Sequence, residues 1–146
     1  MKVKCLYTCN AEIPVLPVLI EKYGYFPSTI LHLTRGREYT VYGMTYCAEG
    51  VLTFPTLSYI IRNDLGSITS CAALLFEVTD SRLTDVEWHV DFFKEVNGFR
   101  LLPGKSANDL EEFEKTEGSD GSDRSLYDIC CDRIDRIEAE RTCPED

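Results

Sequence analysis

The chain has one tryptophan, two methionines and two histidines among 146 residues, and each scarcity removes a chemistry. His32 and His89 stand far apart, with no His-x-x-x-His pair and no glycine-bracketed serine. The spacings of zinc and serine hydrolases are therefore missing. No glycine-rich phosphate loop occurs; Arg35-Gly36-Arg37-Glu38 reads as an exposed turn entering a strand. No window approaches the ~20 apolar residues that span a bilayer. Two lysines open the chain, but Asn10, Glu12 and Pro14 interrupt whatever apolar stretch follows. A secretory leader is not expected, and a cytoplasmic location is. Cysteine is not scarce: Cys5, Cys9, Cys47, Cys71, Cys130, Cys131 and Cys143 make an odd set. Without an export signal these read as reduced thiols. No second Cys or His pair matches Cys5 and Cys9 at finger spacing, so neither a metal nor another cofactor is expected.

Positive charge is also short, and only in one half. Residues 1–79 hold six acids and six bases, whereas residues 80–146 hold nineteen acids and nine bases, the whole formal charge of −10. Such a field repels nucleic acid and anionic membrane and draws in a basic protein. With hydrophobic residues at 44%, the chain is not a disordered acidic tail.

The pattern along the chain is mostly that of strands. Residues 1–8 alternate, and Pro17 to Gly24 reads as a short N-terminal helix. Glu38 to Cys47 is dense in Tyr, Val and Thr, and Leu57, Tyr59 and Ile61 alternate before the turn cluster Asn63-Asp64-Leu65-Gly66. Leu74, Phe76 and Val78 alternate next. Val86, Trp88, Val90 and Phe92 then share one face, predicted to meet the core, with Glu87, His89 and Asp91 on the other. Asn97-Gly98 suits a hairpin tip leading into Phe99–Leu102. About five consecutive strands with turn signals between them predict an α+β fold built on a small, antiparallel, strongly curved sheet of the SH3-like barrel type. Residues 1–104 form that domain. Residues 105–146 form an acidic, partly helical extension, in which Gly118 to Asp123 reads as linker. At its end Leu126, Cys130, Ile134 and Ile137 make the stripe of an amphipathic helix, with Asp132 and Arg136 as an i,i+4 pair.

Three constellations bear on function. His89 between Glu87 and Asp91 suits a general base, and a Cys71/His89/Asp91 trio suits nucleophilic catalysis, but seven cysteines make such a trio easy to write. Aromatics such as Tyr39, Tyr42, Tyr46, Phe54 and Tyr59 suit base stacking, yet the charge has the wrong sign to hold phosphate. Asp80, Asp85, Glu87 and Asp91, with His89 among them, suit a docking surface, and the extension adds Asp109, Glu111 and Glu112.

The stretch Gly36-Arg37-Glu38-Tyr39-Thr40-Val41-Tyr42-Gly43, through Ala73-Leu74-Leu75-Phe76-Glu77-Val78 to Trp88, resembles small bacterial β-barrel immunity proteins of polymorphic and contact-dependent growth-inhibition toxin systems. The resemblance covers residues 36–92. It implies a cytosolic, non-catalytic inhibitor of a cognate toxin and assigns no binding residue, and the charge adds that the toxin is basic, a nuclease domain fitting best. A small enzyme or ligand-binding barrel using His89, and a regulatory subunit docking through its C-terminal helix, remain the alternatives.

Overall fold

A computed structural model describes residues 1–14, 30–47, 56–93, 98–104 and 126–142. Among the described residues seven strands and one α-helix follow in order: β1 (Lys2–Cys5), β2 (Glu38–Cys47), β3 (Thr56–Arg62), β4 (Ile68–Ala72), β5 (Phe76–Asp80), β6 (Trp88–Phe93), β7 (Gly98–Pro103) and α1 (Leu126–Thr142), with short 3-10 turns at Asn10–Glu12 and Ala73–Leu75. The fold is α+β, with every strand pair antiparallel. The order runs β4-β3-β2-β1-β5, while β7 also pairs β2 and carries β6 on its far side. Among the described residues β4, β5 and β6 each pair on one side, so the sheet is not closed. It is nonetheless curled. Phe76 of β5 comes within 6.2 Å of the Tyr59 ring of β3 and 6.3 Å of Tyr39, although β1 and β2 lie between β3 and β5.

The curl encloses the main core. Val3, Ile61 and Leu75 are fully buried there, with Val41, Cys5, Cys71, Tyr39, Tyr59 and Phe76 around them. Burying each large apolar side chain contributes about 1.5–3 kcal/mol. The turn after β3 forms as its sequence suggests. Asn63 Oδ1 accepts from the Leu65 and Ser67 amides, and Gly66 takes φ 81°. Asp64 beside it accepts from Thr34 Oγ1 (2.7 Å), the Tyr39 hydroxyl (2.8 Å) and Arg37 (2.8 Å), which pins residues 34–39 against the turn.

One irregularity in β2 creates a second core. Val41 pairs with Ile61 and Gly43 with Ile60, so Tyr42 is an extra residue, a bulge. Side chains alternate across a strand, and one added residue lets neighbours Val41 and Tyr42 both be buried, at 1% and 4% exposure, in different cores. Gly43 is required beside the bulge. A Cβ there would stand 2.9 Å from both the Leu101 carbonyl oxygen and Leu102 Cδ2.

Helix α1 covers Tyr42. Cys131 and Ile134 are fully buried against it, with Ile68, Val86 and Trp88 at the margin. The Tyr42 hydroxyl donates to Asp135 at 2.5 Å, and Arg62 spans Asp135 (2.9 Å) and Asp132 (3.1 Å) over the Tyr42 ring. Farther along, Glu138 is 5% exposed. Its Oε1 accepts from buried Thr84 Oγ1 at 2.6 Å and from Arg141 at 2.8 Å. A buried carboxylate persists only when it is paired in this way.

Several sequence expectations change. The buried stripe of α1 is Cys131, Ile134 and Glu138, one position on from Cys130, which is half-buried as Ile137 is. Asp132, expected in an i,i+4 pair, also bridges to Arg62 on β3. The sheet has seven strands where about five were expected, because β1 and β4 also join it. A 3-10 turn at Ala73–Leu75 breaks the Leu74, Phe76, Val78 alternation, so Leu75 and Phe76 are buried in succession while Leu74 and Val78 are exposed. Gly98 pairs with Phe93 inside the ladder and is not a turn centre. Asn97, the helix expected over Pro17 to Gly24 and the linker at Gly118 to Asp123 lie outside the described residues.

Candidate functional site

Strand β6 carries two of the candidate residues named from the sequence, His89 and Asp91, and Asp85 and Glu87 lie just ahead of it. Its backbone orientation is set by one bond: the Glu87 carbonyl accepts from the Gly104 amide at 3.0 Å. In an antiparallel ladder the two groups of a residue point to the same side and successive residues alternate. Glu87, His89, Asp91 and Phe93 therefore bond toward β7, and Trp88, Val90 and Phe92 turn their N–H and C=O groups to the outer edge. No described strand pairs there.

The side chains of that outward set change character along the strand. Trp88 is half-buried under α1, its indole N–H donating to the Thr84 carbonyl at 2.9 Å. Val90 is 43% exposed and Phe92 74%. Both were expected in the core, and the geometry explains the difference. Val90 continues the row Leu101, Met44, Tyr59, Cys71, whose far end reaches the main core, and Phe92 continues the row Phe99, Tyr46, Leu57. The curl of the sheet covers the far end of the first row and leaves the β6 end open. The Tyr46 and Phe99 rings stack 5.6 Å apart, and Leu57 beyond them is 37% exposed. A partly exposed apolar row thus runs from Phe92 across four strands.

The carboxylates divide. Asp85 and Glu87 are exposed just ahead of β6, and Asp91 is half-buried within it, 3.6 Å from Arg100. His89 is half-buried and pairs with Leu102. These four share one stretch. Asp80 does not join them. It ends β5, where it accepts from the Arg82 side chain at 2.8 and 3.0 Å and from the Arg82 amide at 2.9 Å, with Arg141 at 3.5 Å. The Arg82 guanidinium and amide hold the Asp80 carboxyl well below the usual carboxylate range. Asp109, Glu111 and Glu112 lie outside the described residues.

The Cys71/His89/Asp91 trio is not assembled. Cys71 sits in β4, and β3, β2 and β7 separate it from β6. Its thiol is 2% exposed and pushed up to about 11 by burial, the setting of an inert structural cysteine. Among the described residues no group of three or more His, Cys, Asp or Glu side chains is placed to hold a metal ion. A cleft at the end of α1 is lined by Lys2, Glu38, Asp80, Arg82, Glu138 and Arg141, whose charges answer one another within the chain. A second, of about 300 Å³, lies between Val86, Glu87, Pro103 and Arg133. Neither includes His89.

Sequence reasoning missed two features of this region. The exposure of Phe92 had no signal in the alternation, which put it on the face of Trp88. The burial of Glu138 had none, because only the fold brings Thr84 to it. Comparison with protein-family models, curated proteins and solved structures found no match. No described helix is long and apolar enough to cross a membrane.

Proposed function

We propose that this chain is a non-catalytic inhibitor of the immunity type, which binds a basic toxin domain and covers its active cleft, a nuclease being the partner class its charge favours. The observation that supports this best is that two exposed apolar anchors on β6, Val90 and Phe92, stand beside the carboxylates of Asp91 on the same strand and of Asp85 and Glu87 just ahead of it. Interfaces draw most of their affinity from such aromatic anchors and their register and on-rate from flanking charge. A nuclease cleft lined with Lys and Arg for phosphate complements a half-chain holding the entire net charge of −10. Free thiols at Cys5, Cys9, Cys71, Cys130 and Cys131 suit a cytosolic site of action. Docking through α1 is the less favoured reading, because Cys131 and Ile134 are already buried on the chain's own sheet.

The test is association with a basic toxin domain, candidates being sought among the products of adjacent genes. Reversing the charges of Asp85, Glu87 and Asp91 is expected to slow association on the order of tenfold at low salt and to abolish protection in co-expression. Asp80 is left alone because it serves Arg82 and Arg141. A triple variant that associates and protects like the parent refutes the assignment of this surface.

A further inference from the structure

Of the three backbone positions of β6 that face its outer edge, Trp88, Val90 and Phe92, the last two also carry exposed apolar side chains. We propose that the partner docks by strand addition: an extended basic segment pairs with the outer edge of β6. This rests on the docking reading above and specifies how the partner is held. An unpaired edge offers N–H and C=O groups that a guest strand satisfies with its backbone, while pockets for alternate side chains set specificity. Here the guest places apolar residues on the Val90/Phe92 face and Lys or Arg on the other, beside Asp91 and near Glu87.

Charge selects the occupant. A second copy of the chain brings a further −10 to the same edge. The chain's own residues 105–125, with seven acids and three bases, are repelled in the same way. A basic guest is attracted. Edge strands that are not meant to pair are short, bulged, capped with proline or studded with lysine. β6 runs six residues from Trp88 to Phe93 without a proline or a lysine, and its exposed side chains are apolar.

The experiment uses the full chain, isotopically labelled, titrated at low salt with a short blocked peptide of alternating valine and lysine. Strand addition slows amide exchange at Val90 and Phe92 and leaves His89 and Asp91, whose N–H groups already bond to β7, unchanged. Backbone N-methylation of one alternate set of peptide residues weakens binding on the order of tenfold or more, and methylation of the other set is tolerated, because only one edge of the guest meets β6. Equal tolerance of both methylated peptides overturns strand addition while leaving the charge reading intact. Equal binding of a valine–glutamate peptide overturns the charge reading itself. Protection of Val90 and Phe92 in the protein alone, rising with its concentration, makes a second copy the occupant and overturns the proposal. Val90→Pro removes one outward N–H without touching the β7 ladder, and is expected to lose the peptide while native Trp88 emission persists.

Discussion

Ile134→Ala tests whether α1 belongs to the folded unit. Ile134 has no exposed surface and sits between the helix and Tyr42, with Trp88 at the margin. Truncating a buried isoleucine to alanine costs about 2–5 kcal/mol, the larger values arising where the neighbours cannot collapse into the space. The Tyr42 ring is held by Asp135 and Arg62 and cannot follow, so about 3–4 kcal/mol is expected. That is a large share of the roughly 5–15 kcal/mol that a domain possesses. Ile129→Ala is the control, since Ile129 is 48% exposed on the same helix. It should cost about 0.5 kcal/mol or less beyond helix propensity, which alanine favours. Urea unfolding followed by fluorescence measures both, because the single tryptophan is Trp88, a member of this cluster. Native emission of the Ile134 variant should shift toward the red as water reaches the indole. Equal losses for the two variants, or an emission maximum indifferent to Ile134, would refute the docking of α1 on the bulge.

Two further expectations concern acid and thiols. Asp80 and Asp64 both have folded pKa values below their ordinary value of 3.8, Asp80 through Arg82 and Asp64 through Thr34, Tyr39 and Arg37. Groups depressed in this way stabilise fully above the unfolded value, and that contribution drains as pH falls through the folded one. Thermal stability should decline below about pH 4, and Asp80→Asn should flatten the decline, by a modest amount because the pair is exposed; an unaltered slope would count against the Arg82 pairing. Among the five cysteines whose burial is described, alkylation of the native protein followed by mass spectrometry should label half-buried Cys9 and Cys130 first. Cys5, Cys71 and Cys131, whose thiols burial pushes up, should react only on unfolding; early labelling of Cys71 would contradict the core.

The sequence made legible what depends on local period. The dense Tyr, Val and Thr run became β2, the Asn63 to Gly66 cluster became a turn, and the alternation after Val86 became β6. What it hid depends on contacts far along the chain. The bulge at Tyr42 leaves no mark in composition, yet it decides that neighbouring residues serve different cores. Glu138 looks solvated until Thr84, 54 positions earlier, is placed against it. The acidic set looked uniform because sequence gives charge without partners. Asp80 is held by Arg82 two residues on, with Arg141, 61 positions away, at 3.5 Å, while Asp85 and Glu87 are exposed. The outward turn of Val90 and Phe92 likewise follows from where the curl of the sheet ends.

The shared strand β2 also fixes an order of events in time. Its ladder with β3, and that of β3 with β4, join neighbours in sequence, whereas Tyr42 meets Asp135 across 93 positions. Closing the longer span gives up more chain freedom before any contact rewards it. The β2–β3 and β3–β4 hairpins are therefore expected to form before α1 settles onto the bulge. Trp88 packs in that second cluster, so its emission is expected to follow the docking of α1. Changes in α1 should fall mainly on the rate of unfolding, which sets how long each molecule persists once formed.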